Sequence, residues 1–223
     1  MIAMTPLLLA LVLGDISEST SLPGAQPERG RWSVLGGGSL ERGWALSLQA
    51  HASALDVTHG IAGAEAMAFR SLHGRVDLGF GLRLGGPTGY LVHTVGPVRI
   101  LAISPLLTLR WRFFDHGASC MSAQMRLAWS YLVAAPVLPL FNVELSWMTS
   151  TFFGTHEMYA GVIAQYEVLS GLSLGGRFGF MFTLSANGHA ALFVQHDVGV
   201  SLTNTAAGRL PFIRGMIGVV WRI

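Results

Sequence analysis

Between residues 75 and 84 the chain reads Arg-Val-Asp-Leu-Gly-Phe-Gly-Leu-Arg-Leu. The even positions (Val76, Leu78, Phe80, Leu82, Leu84) are apolar; the odd ones (Arg75, Asp77, Gly79, Gly81, Arg83) are charged or lack a side chain. An extended strand sends neighbours to opposite faces, whereas a helix would mix the two sets. The same alternation returns along most of the chain. Trp44, Leu46 and Leu48 oppose Ser47, Gln49 and His51; Leu107, Leu109 and Trp111 oppose Thr108, Arg110 and Arg112. Further on, Met125 and Leu127 oppose Arg126, Leu145 and Trp147 oppose Glu144, and Phe178 and Phe180 oppose Arg177. Because the apolar face is the continuous one, the pattern predicts an all-β fold, a closed antiparallel transmembrane β-barrel that is apolar outside and polar within.

The alternating segments run about 9–13 residues, which at a rise of about 3.3 Å and a strong tilt suits an apolar band of about 25 Å. Twelve strands are expected if a glycine-softened segment over 32–39 and a short one over 90–95 are both counted, and ten if neither is. Twelve is preferred here, because ten leaves a long connection over 86–100 where the others are short. Either even number places both chain ends on one side, the periplasmic side in a bacterial envelope. Residues 1–14 carry a short apolar run that reads as a signal-peptide-like segment, 15–30 as a flexible lead-in, and 31–223 as the barrel. The aromatics gather at segment ends: Trp111, Trp147 and Trp221 toward one rim, Trp129, Tyr131 and Tyr166 toward the other. Amphipathic rings prefer that depth in a membrane.

The last strand, Met216-x-Gly218-x-x-Trp221-x-Ile223, resembles the C-terminal signal of bacterial outer-membrane β-barrel proteins, ending on Ile rather than Phe. The resemblance implies an outer-membrane location, contact with outer-membrane lipid, and recognition of Met216–Ile223 by the barrel-assembly machinery.

Composition narrows the alternatives. Hydrophobic residues are 51% of the chain and charged ones 12%, which also raises a polytopic helical protein of the inner membrane, with residues 127–143 as its best span. Pro136 and Pro139 inside that run, and charges at alternate positions elsewhere, weigh against it. A net charge of +2 with no basic tract gives no reason to expect nucleic acid. The single Cys120 excludes an intrachain disulfide and a cysteine-rich metal site, and the histidines lack ligand spacing. No metal and no cofactor are expected.

The inward face predicted by the alternation carries Arg75, Arg83, Arg110, Arg112, Arg126, Arg177 and Arg214 with Glu65, Asp77, Glu144, Glu157, Glu167 and Asp197. Two readings follow: a charged passage for solutes, as in a narrow pore, or Arg–carboxylate pairs that fill the bore and hold the wall. Gly79 and Gly81 are expected to leave room for long Arg side chains. The one enzymatic alternative is His51, Ser53 and Glu65, all inward-facing, which could serve as base, nucleophile and orienter. That spacing is similar to the motif of outer-membrane lipid A deacylases, although it falls early in this chain. With twelve strands the trio lies toward the periplasmic end.

Overall fold

The computed structural model describes residues 33–36, 40, 43–54, 59–73, 75–89, 102–116, 118–132, 140–167, 171–184, 189–203 and 211–223. Ten strands follow in chain order: β1 (Trp44–Ala54), β2 (His59–His73), β3 (Val76–Gly89), β4 (Ala102–His116), β5 (Ser119–Leu132), β6 (Leu140–Phe153), β7 (His156–Glu167), β8 (Gly171–Thr183), β9 (Ala190–Ser201) and β10 (Pro211–Arg222). Each pairs antiparallel with its neighbours in sequence, and β1 zips to β10 from Ala45 opposite Arg222 to Ala54 opposite Ile213. The sheet is a closed barrel with no free edge.

Closure sets the strand count at ten rather than the preferred twelve. Both sides of β1 are taken, by β2 and β10, and β3 pairs directly with β4. The expected strand over 32–39 is corrected: Ser33–Gly36 are not extended but form a bend, because no edge remains to template them. The hydroxyl of Ser33 accepts the backbone N–H groups of Leu35 (3.1 Å) and Gly36 (3.0 Å), tightening that bend. The segment 90–95, the signal-like residues 1–14 and the lead-in 15–30 lie outside the described residues.

The two ends of the barrel differ. Connections 74–75, 117–118, 154–155 and 184–189 lie at the end that also holds the start of β1 and the finish of β10, here termed the turn end. Gly154, at φ 63°, makes the two-residue link between β6 and β7 feasible. Connections 55–58, 90–101, 133–139, 168–170 and 202–210 lie at the opposite, loop end.

Burial follows the period of two. Phe80 and Trp147 are each 50% exposed on the outer face, while Asp77, Glu144 and Arg177 are buried inside. The outer belt includes Leu46, Leu48, Leu82, Leu145, Val162, Phe178, Phe180 and Ile217. Toward the turn end an apolar cluster lies beside buried charges: Met67, Phe69, Met181, Ala191, Phe193 and Val220 pack with Val34 and Leu40 of the preceding segment. Gly79 and Gly81 serve this cluster rather than the arginines. A Cβ at 79 would lie 2.7 Å from the Phe69 ring, and one at 81 would lie 2.7 Å from Met67 Cγ and against the Ala66 carbonyl oxygen. The interior is therefore packed by large side chains laid over glycines in the facing strand, as close packing requires.

Gly81→Val is expected to cost about 1–3 kcal/mol by overpacking and to lower the temperature at which the barrel loses its compact gel mobility by several degrees. Leu82→Ile, one residue along on the outer face, is expected to leave that temperature unchanged.

Candidate functional site

The polar part of the interior is built from side chains that the alternation turns inward on all ten strands. On β6, β8, β9 and β10 it forms a four-membered ring. Arg177 donates through Nε to Asp197 Oδ1 (2.8 Å) and through Nη2 to Glu144 Oε1 (2.7 Å). Arg214 donates through Nε to Asp197 Oδ2 (2.7 Å) and through Nη2 to Glu144 Oε2 (2.6 Å) and Asp197. Two guanidiniums and two carboxylates balance, and their forks satisfy each other's geometry. Since β6 and β10 stand four strands apart around the ring, the Arg214–Glu144 bond crosses the bore.

A second group joins β1, β2, β3 and β5. Glu65 accepts from Gln49 Nε2 (2.6 Å), from Arg83 Nε (3.0 Å) and from Arg126. The Arg126 contact again spans the bore, from β5 to β2. A third group lies toward the turn end, where Asp77 accepts from Arg110 Nε (3.0 Å) and stands 3.5 Å from Arg112 Nη2. Arg110 also holds the inserted bend: its Nη1 donates to the Gly36 carbonyl (3.0 Å) and its Nη2 to the Ser33 carbonyl. Ser122 Oγ donates to the same Gly36 oxygen (3.1 Å). Gly36 lets the bend sit close against Glu157 and Ser150, whose side-chain ends would have to move for a Cβ at that position.

These groups leave a residual cavity of about 20 Å³ among Val34, Gln49, Glu65, Met67, Arg126 and Met216, room for about one water. Near the loop-end mouth Glu167 accepts from Asn142 (2.7 Å) and Gln165 (2.5 Å). Arg75, expected inside, lies exposed in the turn between β2 and β3, where the chain leaves the alternating register before β3 begins. Its carbonyl accepts the Arg112 N–H (2.8 Å). Cys120 is buried.

The trio His51, Ser53 and Glu65 is not assembled as a catalytic relay. The Glu65 carboxylate is engaged by Gln49, Arg83 and Arg126, and the buried Nδ1 of His51 has no hydrogen-bond partner among the described residues. Two guanidiniums outcompete an imidazole for the one carboxylate. With ten strands His51 and Ser53 lie on the loop-end half of β1 and Glu65 near the middle of β2, not toward the turn end. Among the described residues no group of His, Cys, Asp and Glu could hold a metal ion.

The inserted bend Ser33–Gly36 was not legible as a site feature. The only sequence signal is a serine three residues ahead of a glycine run, which marks a turn without saying where it docks.

No protein-family model matches the chain, and no curated protein matches it. Among solved structures it is similar to the beta domain of the Bordetella autotransporter Brka (11% identity, 80% of this chain and 98% of that one, TM-score 0.47). The NanC porin gives 7% identity over 80% of this chain and 100% of that one, with a TM-score of 0.44. A bacterial polysaccharide outer membrane secretin gives 11% identity and a TM-score of 0.44, with 81% of this chain matched to 65% of that one. At such values no activity, solute or partner passes from these structures to this chain.

Removing one member of the balanced ring strands its neighbours. Glu144→Gln is expected to destabilise the folded barrel by about 3–5 kcal/mol, read from urea unfolding in detergent. Adding Arg214→Gln should recover part of that loss, so the two changes should be clearly non-additive in a double-mutant cycle.

Proposed function

We propose that this chain is an integral β-barrel of the bacterial outer membrane, without catalytic activity, whose charged bore is a narrow passage held shut in the state described. The observation that carries this reading is the division of the wall into two faces. A belt of Phe, Leu, Val and Trp is exposed to the outside, while arginines and carboxylates are sealed inside. In water the arrangement would expose an apolar area far beyond the few hundred Å² usual for a soluble monomer; in hydrocarbon it is the stable one. Trp44, Trp111 and Trp221 toward the turn end and Tyr131 and Tyr166 toward the loop end are exposed, where headgroups would meet the wall. The longest connections at one end, with the start of β1 and the finish of β10 at the other, support an orientation with the turn end in the periplasm. The C-terminal strand Met216–Ile223 is the element we assign to the barrel-assembly machinery.

The passage reading rests on the nature of the closure. The inserted bend is held by hydrogen bonds from Arg110 and Ser122 to its backbone carbonyls, contacts that can be made and broken without unfolding the wall. The second reading, a structural envelope barrel, is favoured by the small residual cavity. An acyl hydrolase finds no support in the partners of Glu65, and Ser53→Ala is expected to leave lipid A acylation unchanged.

Planar-bilayer recording of the refolded protein separates the two readings. The passage reading expects rare discrete openings in the native chain and at least a tenfold higher open probability when Arg110→Ala and Ser122→Ala release the bend. Silence in both proteins would leave the structural reading standing. Membrane embedding is tested separately: Val162→Arg, on the outer face of β7, is expected to cost about 2–4 kcal/mol in lipid if it lies near the midplane.

A further inference from the structure

Twice inside the bore one carboxylate stands between two guanidiniums. Asp77 serves Arg110 and Arg112, and Glu65 serves Arg83 and Arg126. Each trio by itself carries one positive charge in excess, and a buried excess charge requires further acceptors or a counter-ion.

At Asp77 the chain supplies them. The carbonyl oxygens of Ser33 and Gly36 accept from Arg110, and the Glu157 carboxylate packs against Gly36. The ring of Arg177, Arg214, Glu144 and Asp197 is already balanced. At Glu65 the described residues supply less. Arg126 also donates to Met67 Sδ (3.7 Å) and lies opposite Glu144. Glu144, however, is already shared by Arg177 and Arg214, so across the joined groups four guanidiniums meet three carboxylates. Gln49 brings another donor to Glu65, not an acceptor to the arginines. Arg83 bonds to Glu65 through Nε alone, and its side chain is 23% exposed.

His51 belongs to the same corner. It lies within electrostatic reach of Arg83, Glu65, Arg214 and Arg126. Its residue is 9% exposed, and its Nδ1 is buried with no partner among the described residues. The ring faces glycines: β1 pairs His51 with Gly63, and β2 pairs Gly63 with Gly85. A Cβ at 63 would crowd the Leu84 carbonyl oxygen and lie 2.8 Å from His51 Cε1, while one at 85 would make ordinary contact with Nε2 at 3.8 Å.

The geometry points to a binding site for a small anion, of carboxylate or phosphate type, between Arg83 and His51 on the loop-end half of the bore. Such a ligand only accepts hydrogen bonds, so one group would both offset the surplus charge of the Glu65 trio and take a proton donor from the imidazole. It plays there the part that the bend carbonyls play at Asp77. The exposed edge of Arg83 is its way in. The site stands whether or not the barrel conducts, so its failure and that of the passage reading are separately visible.

The test is the apparent unfolding midpoint of the whole refolded chain in detergent, followed by tryptophan fluorescence. Sodium formate and sodium phosphate are titrated at constant ionic strength against a bulky sulfonate buffer salt. Saturating formate or phosphate is expected to raise the midpoint by about 3–5 °C. Arg83→Gln removes the surplus charge and should abolish the rise. His51→Glu supplies a built-in carboxylate and should abolish it too, which keeps the test open if Arg83→Gln folds poorly. Arg75→Gln, in the exposed turn, should retain it. A rise that persists in both Arg83→Gln and His51→Glu, or no rise in the native chain, overturns the proposal.

Discussion

Closure of β1 onto β10 is the constraint on which the rest depends. In hydrocarbon a peptide group without a partner costs several kcal/mol, so a sheet can cross a membrane only when its first and last strands find each other. Here that pairing runs along the whole of β1. It takes up the edges, fixes the number of strands, and divides every strand into a face toward the outside and a face toward the bore. The interior chemistry is a consequence of that division.

What fills the bore follows from its width. Ten strands leave a space that long side chains can bridge, and here they do so between strands three and four apart around the ring: Arg126 reaches Glu65, and Arg214 reaches Glu144. Ionised groups removed from water must be paired, and forked guanidiniums facing carboxylates are an economical way to do it. At the turn end the same space is filled differently, by Met67, Phe69 and Phe193 laid over glycines, with Val34 and Leu40 brought in from the chain ahead of β1. Toward the turn end the interior thus combines this apolar cluster with the buried Asp77, Arg110 and Arg112 group.

The faces of the wall were legible in the sequence because strand geometry is binary: once Phe80 faces out, Arg83 faces in. Strand number was not, because a glycine-rich stretch such as 32–39 alternates well enough to pass as a strand, and only the pairing of β1 with β10 excludes it. Neighbours across the bore were not legible either. Alternation says that His51, Ser53 and Glu65 face inward, but which groups meet Glu65 depends on register and stagger around the ring, and Arg83 and Arg126 arrive first. Arg75 shows the limit of pattern at a strand end, where the turn takes over one residue before the ladder begins.

The division into two faces can be measured directly along β7, where Met158, Ala160 and Val162 are set outside and Tyr159 and Ile163 inside. Because Cys120 is the only cysteine, its replacement by serine leaves a background for single spin labels at successive positions from 158 to 163. In lipid bilayers, accessibility to dissolved oxygen should rise and fall with a period of two, high at 158, 160 and 162 and low at 159, 161 and 163. A period near 3.6, or high oxygen access at the inward positions instead, would contradict the account.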